Sequence, residues 1–129
     1  MPEPLRPLVE RVYTALAAGD AATLDELLGE GFVGEVSDGM PYGLGGRREG
    51  SVAMREQTWW PIGRRYRVRP EPQEWIDCAD GRLLVLGRYR GAHRESGGEV
   101  DAAFAHLWTA GDGTVAHLVQ ITDTARWAT

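Results

Sequence analysis

The chain has 129 residues, 43% hydrophobic and 26% charged, which suits one compact domain with a core and an internal cavity and leaves no room for a second. Its formal net charge of −5 excludes a global field for nucleic acid or an anionic membrane surface, and no apolar run nears the ~20 residues that cross a bilayer. All 14 basic residues are arginine, which excludes Schiff-base and P-loop lysine chemistry, and the lone Cys78 excludes an intrachain disulfide or a thiolate metal cluster.

In chain order, Leu5, Leu8, Val9, Val12, Tyr13 and Leu16 recur at helical spacing, and Gly19 supplies a left-handed stop. Asp20 caps a second, shorter helix with Leu24, Leu27 and Leu28 inside. Phe32 to Val36 reads as a short strand, Ser37 to Arg47 as a Gly-rich loop, and Gly50 to Trp60 as a third helix stopped by Pro61. The period then changes to two over Tyr66–Arg69, Trp75–Cys78, Leu83–Arg94, Val100–Thr109 and Val115–Thr122, with turns at Ala79-Asp-Gly81, Ser96-Gly-Gly98 and Gly111-Asp-Gly113. Helices followed by an antiparallel meander predict an α+β fold in which the helices cover one face of a curved sheet. Arg64, Arg65, Arg67 and Arg69 read as a solvated strand edge.

The last quarter of the chain departs from a plain core. His106, His117, Gln120 and Asp123 interrupt the apolar runs on either side of Gly111-Asp-Gly113, and a sheet that takes polar groups on a buried face lines a pocket. Together with Val9 to Asp20, Gly43 to Gly50, Val85 to Gly91 and Phe104 to Trp108, the run Gln120-Ile-Thr-Asp-Thr124 resembles the SnoaL-like polyketide cyclase and ketosteroid isomerase-related branch of the nuclear-transport-factor-2-like superfamily. The resemblance spans nearly the whole chain, so residues 1–129 are expected to be a single SnoaL-like domain. It implies a cone: a bent antiparallel sheet around an apolar pocket, three N-terminal helices closing it, and homodimerisation through the outer sheet face.

The resemblance also locates candidate groups. Val12 and Ala105 stand where a ketosteroid isomerase carries its oxyanion-hole Tyr and Asp, and Arg88-Tyr-Arg90 with Gln120 stands where a limonene-type epoxide hydrolase carries its triad; neither set is intact. A SnoaL-like acid or base falls on Asp123, with His106 as a proton relay and Gln120 orienting a carbonyl or water. Gln120 and Asp123 have opposite strand parity, so without a bulge only one faces inward. Glu35 and Asp38 form a second acidic candidate pair after the first strand, where the isomerase base falls on Val36 or, with a two-residue shift, on Asp38. Each has a structural alternative: Asp123 as a strand-end cap or a partner of Arg126, Asp38 as an exposed turn, His106 as a satisfied core group.

Tyr42, Tyr89, Trp59 and Trp108 are candidate substrate contacts, as is Arg88, an arginine inside an apolar strand that needs Glu35, Asp101 or Asp123 as partner. The aromatic content favours an apolar or polycyclic ligand. His93, His106 and His117 have no metal-ligand spacing, so a metal-free, cofactor-free reaction is expected. No signal-peptide pattern opens the sequence, and a reducing cytoplasm is the expected location. The expected function is a cyclase or isomerase of bacterial secondary metabolism using acid and base groups on a polyketide-like substrate. The alternatives are an epoxide-opening hydrolase or cyclic-ether-forming cyclase, and a non-catalytic binder of an apolar small molecule.

Overall fold

The structure, a computed structural model, describes residues 4–129. Helix α1 (Leu5–Ala18) buries Leu8, Val9, Val12 and Ala15 and ends at Gly19, whose φ of 65° is the left-handed stop that a side chain resists. The Asp20 carboxylate accepts from the Thr23 amide at 3.1 Å and caps α2 (Ala21–Leu27) as expected.

Six strands follow in one curved, unclosed sheet: β1 (Leu28–Val36), β2 (Gly46–Glu49), β3 (Tyr66–Asp77), β4 (Arg82–His93), β5 (Glu99–Ala110) and β6 (Val115–Thr122), in the spatial order β2-β1-β6-β5-β4-β3. Four of the five pairings are antiparallel, but β1 runs parallel to β6, with Gly34 beside Leu118 and Val36 beside Gln120. The wholly antiparallel expectation is corrected there, because the helical stretch between β2 and β3 carries the chain across the sheet before the meander starts. Across the end of the expected loop, which stops at Arg47, β2 forms by pairing Gly46–Glu49 against Val33–Val36.

Three prolines act differently from their sequence reading. Pro70 and Pro72 lie within a continuous β3, not in a break between two short strands, because β3 is the sheet edge and an edge strand tolerates missing N–H donors. Its register shifts between Pro72 and Glu74. Nor does Pro61 stop the third helix. After α3 (Ser51–Met54) the backbone widens into a π-type turn (Arg55–Trp59), the Trp60 amide bonds the Arg55 carbonyl, and Pro61 falls in the first turn of α4 (Trp60–Arg65), where no N–H is required. The widened turn brings Trp59 and Trp60 together to the concave side of the sheet.

Strand alternation sorts the side chains. Phe104, His106 and Trp108 of β5 and Leu118, Gln120 and Thr122 of β6 are buried on the concave face, beneath α1 and the 51–65 helical stretch. Gly34 makes room for Met54: a Cβ there would stand 2.6 Å from its Sδ. Beyond β6 the tail folds back, burying Trp127 edge-on to Tyr66 and Tyr89, while the Tyr66 hydroxyl donates to the Ala128 carbonyl at 2.6 Å. Among the described residues no helix is long and apolar enough to cross a membrane.

Candidate active site

A cavity of about 1140 Å³ opens between the concave face and the helices. Leu16, Val36, Met54, Trp59, Trp60, Ile62, Val68, Leu118 and Trp127 make it largely apolar, Tyr13, Tyr89, His106 and Gln120 form a neutral polar cluster within the lining, and Arg64, Arg67, Arg69, Arg90 and Arg94 touch its wall as well. His106 sits opposite Val85 on β4 and Gln120 on β6, and strand register alone sets it among aromatics. Its ring stacks on Phe104 with centroids 4.0 Å apart and planes at 19°.

Both imidazole nitrogens are engaged. The Tyr13 hydroxyl lies 2.7 Å from Nδ1 and the Tyr89 hydroxyl 2.6 Å from Nε2. Each phenol oxygen also accepts a hydrogen bond from outside: Trp108 Nε1 donates to Tyr13 at 3.3 Å, and Gln120 Nε2 donates to Tyr89 at 3.2 Å. The Ser37 amide donates to Gln120 Oε1 at 3.2 Å, which fixes the amide orientation and aims its NH2 at Tyr89. Burial pushes the His106 imidazole down to about 3 and raises both phenols above their ordinary range, so all three groups are neutral at working pH.

Counting protons in this chain gives a definite result. Two phenols and one neutral imidazole carry three hydrogens, whereas the links Tyr13–His106 and His106–Tyr89 use two. One tyrosine therefore always keeps an O–H that is not directed at the imidazole. With the proton on Nε2 the surplus hydrogen belongs to Tyr89; with the proton on Nδ1 it belongs to Tyr13. Both residues line the cavity, so the site presents one hydroxyl donor whose position follows the imidazole tautomer.

The remaining sequence candidates lie elsewhere. Asp123 is exposed just past β6 and does not line the cavity; its amide donates to the Ala103 carbonyl at 3.2 Å, and its own carbonyl accepts from the Arg126 amide at 3.0 Å. The parity conflict with Gln120 is resolved because β6 ends at Thr122, leaving Gln120 inward and Asp123 outside the strand. Asp38 is exposed in the turn after β1. Glu35 points to the convex face, where its carboxylate meets His117 Nε2 at 2.7 Å. Arg88 is on that face too, its Nε donating to Asp101 at 2.6 Å, so it makes a structural ion pair and does not contact the cavity.

Tyr42 lines a separate concavity of about 700 Å³, with the Arg65 guanidinium 3.8 Å above its ring. His93 Nδ1 accepts from the Glu95 and Ser96 amides, which places the other ring proton on Nε2, donated to the Tyr42 oxygen at 2.9 Å. Of the expected residues the structure thus gathers His106, Tyr89, Trp59, Trp108 and Gln120 around one cavity. Among the described residues no three His, Cys, Asp or Glu side chains gather as a metal site.

Tyr13 and Trp127 were not expected at the site. Tyr13 occupies the position next to Val12, and the signal for it lay in the helical stripe: a tyrosine on a core-facing side needs a partner for its hydroxyl. Nothing in the sequence pattern announces Trp127, which reaches the cavity only because the tail folds back.

Residues 9–118 match the family model described as the SnoaL-like domain. No curated protein matches the chain in sequence. Among solved structures it is similar to an NTF2-like protein of unknown function from Burkholderia pseudomallei K96243, with 26% identity over 95% of this chain and 93% of that one and a TM-score of 0.83. It is also similar to TerC, co-crystallised with polyporic acid, at 24% identity, 95% and 94% coverage and TM-score 0.82. A third, provisionally named a polyketide cyclase, comes from Sinorhizobium meliloti, at 23% identity, 89% and 94% coverage and TM-score 0.70. The curved six-stranded sheet with its helices over the concave face and the match across residues 9–118 lead to one conclusion: the chain belongs to the SnoaL-like domain family, within the NTF2-like fold.

Proposed function

We propose that this protein is a cofactor-independent cyclase or isomerase acting on a polyketide-like apolar substrate, with His106 and its two tyrosines as the acid–base machinery. The observation that carries this reading is the three-hydrogen, two-link chain Tyr13–His106–Tyr89 on the wall of an apolar cavity whose lining, among the described residues, includes no carboxylate.

Such a chain moves a proton without creating charge. When Tyr89 gives its free hydrogen to a substrate oxygen, the Nε2 hydrogen passes to Tyr89, the Tyr13 hydrogen passes to Nδ1, and Tyr13 takes a proton from an acidic C–H or O–H of the substrate. The substrate gains one proton and loses one, and the imidazole changes tautomer. Applied to one carbonyl and its neighbouring C–H, this is a keto–enol shift. Applied while the carbon being deprotonated attacks a carbonyl, it closes a ring as the C–C bond forms. A neutral relay suits the site because ionising any member would leave a charge in a low-dielectric wall. The name of the Sinorhizobium meliloti neighbour and the ligand of TerC support a small organic substrate.

Epoxide opening by paired carboxylates draws no support from Glu35, Asp38 and Asp123, which all lie outside the cavity. A non-catalytic binding role is favoured by the absence of a lining carboxylate among the described residues, and one experiment separates it. Exchange of the α-hydrogens of 2-tetralone in D2O, followed by NMR, should exceed the buffer rate and fall roughly 10²- to 10⁴-fold in His106→Gln. Binding of 2-tetralone with exchange at the buffer rate would leave only the binding role.

A further inference from the structure

We propose that the substrate is an amphipathic organic anion, an aromatic or alicyclic body carrying one carboxylate, and that Arg64 and Arg94 at the cavity mouth hold that carboxylate. The inference rests on the cavity being the substrate site, as proposed above. Arg64, Arg67, Arg69, Arg90 and Arg94 all touch the cavity wall, but Arg67, Arg69 and Arg90 alternate with the inward-facing Tyr66, Val68 and Tyr89, so their side chains leave on the convex face. Arg90 is neutralised by Glu71 at 3.2 Å and Asp101 at 3.7 Å. For Arg64 and Arg94 no carboxylate lies within 4.0 Å among the described residues.

This distribution runs against the composition. A chain with 19 acidic and 14 basic residues carries a net charge of −5, yet its cavity is bordered by two uncompensated cations and no Asp or Glu. Arg67 and Arg69 alternate with the inward Val68 on the edge strand and keep the solvated-edge role that the sequence gives them. Arg94 is already oriented: its Nε donates to the Gly63 carbonyl at 3.0 Å and the Tyr66 carbonyl at 3.2 Å, which leaves both terminal nitrogens for a ligand. A planar fork so held suits a carboxylate.

The relay end of the cavity is a poor place for that charge. Burial there keeps the imidazole and both phenols neutral, so a substrate with one charged and one neutral oxygen end is placed with its anion outward and its carbonyl toward Tyr13 and Tyr89. The arginines thereby choose which end of the molecule meets the relay, and a cationic mouth in a negatively charged protein also draws anions toward it.

The test compares two probes of equal shape, 2-naphthoate and 2-naphthamide, by calorimetry and by quenching of the tryptophans that line the cavity. The naphthoate should bind about tenfold more tightly at low salt, with the preference shrinking as salt rises. The preference should shrink in Arg64→Gln, whose site is exposed and whose loss should not disturb folding, and disappear in Arg64→Gln/Arg94→Gln, while Arg67→Gln/Arg69→Gln should leave it unchanged. Equal affinities in the wild type, or an undiminished preference in Arg64→Gln/Arg94→Gln, would overturn the arginine rim while leaving the cavity reading standing. Failure of both probes to bind would overturn the cavity reading and the rim with it.

Discussion

Gly87 on β4 faces Phe104 on β5 so closely that a Cβ on the glycine would stand 2.7 Å from the phenyl Cζ and would also collide with the Glu71 carbonyl of β3. The missing side chain lets Phe104 lie flat under His106. Gly87→Ala should lower stability by about 1–3 kcal/mol through overpacking, read by urea denaturation. A loss under about 0.5 kcal/mol would mean that the two strands can separate enough to take a methyl group.

His106 makes stability depend on pH in one direction. Its folded-state pKa lies near 3, below the ordinary 6.5, so between these values the unfolded chain binds a proton that the folded chain refuses, and stability is lost as pH falls. Above 6.5 the site is neutral in both states and its contribution is flat. The loss from pH 7 to pH 5 should be about 2 kcal/mol, and the stability curve of His106→Gln should be flatter by that amount over the same interval. Parallel curves for the two proteins would show that the imidazole charges without unfolding.

Asp123→Asn should leave both tetralone exchange and melting temperature close to wild type, because the carboxylate is exposed and its cap role at the 124–126 turn uses only the backbone. Tyr13→Phe and Tyr89→Phe should each cost roughly 10²-fold or more in exchange, since either change removes one end of the relay. Normal exchange in both phenylalanine variants, with loss in Asp123→Asn, would return the acid–base role to the strand end.

The convex face predicts self-association. Ile121, 60% exposed, stands there beside Ala105 on β5, with Leu107 paired to Val119 next along the sheet. Burying that face against a second copy would form a homodimer at micromolar concentration, and Ile121→Arg should shift it toward monomer in sedimentation velocity runs. A monomeric wild type would remove the face from consideration as an interface.

Local chemistry made much of the fold legible. The period of α1, the Gly19 stop, the Asp20 cap and the alternation along β4, β5 and β6 depend on neighbours a few residues away, so they can be read from the chain itself. Composition likewise anticipated an aromatic cavity, and the resemblance to SnoaL-like proteins is matched by the family model over residues 9–118. What tertiary structure decided was which polar groups meet. The Tyr13–His106 bond joins residues 93 positions apart, and Gln120 reaches Tyr89 across 31, through strand register that no local pattern encodes. Pro61 and Pro70 were misleading for the same reason: a π-type turn and an edge position supplied tolerances that belong to the assembled sheet and helices, not to proline. Arg88 and Asp123 carry the same residue types as catalytic groups, and only the place each takes, the convex face or the strand end, makes one an ion pair and the other an exposed turn and keeps both off the cavity wall.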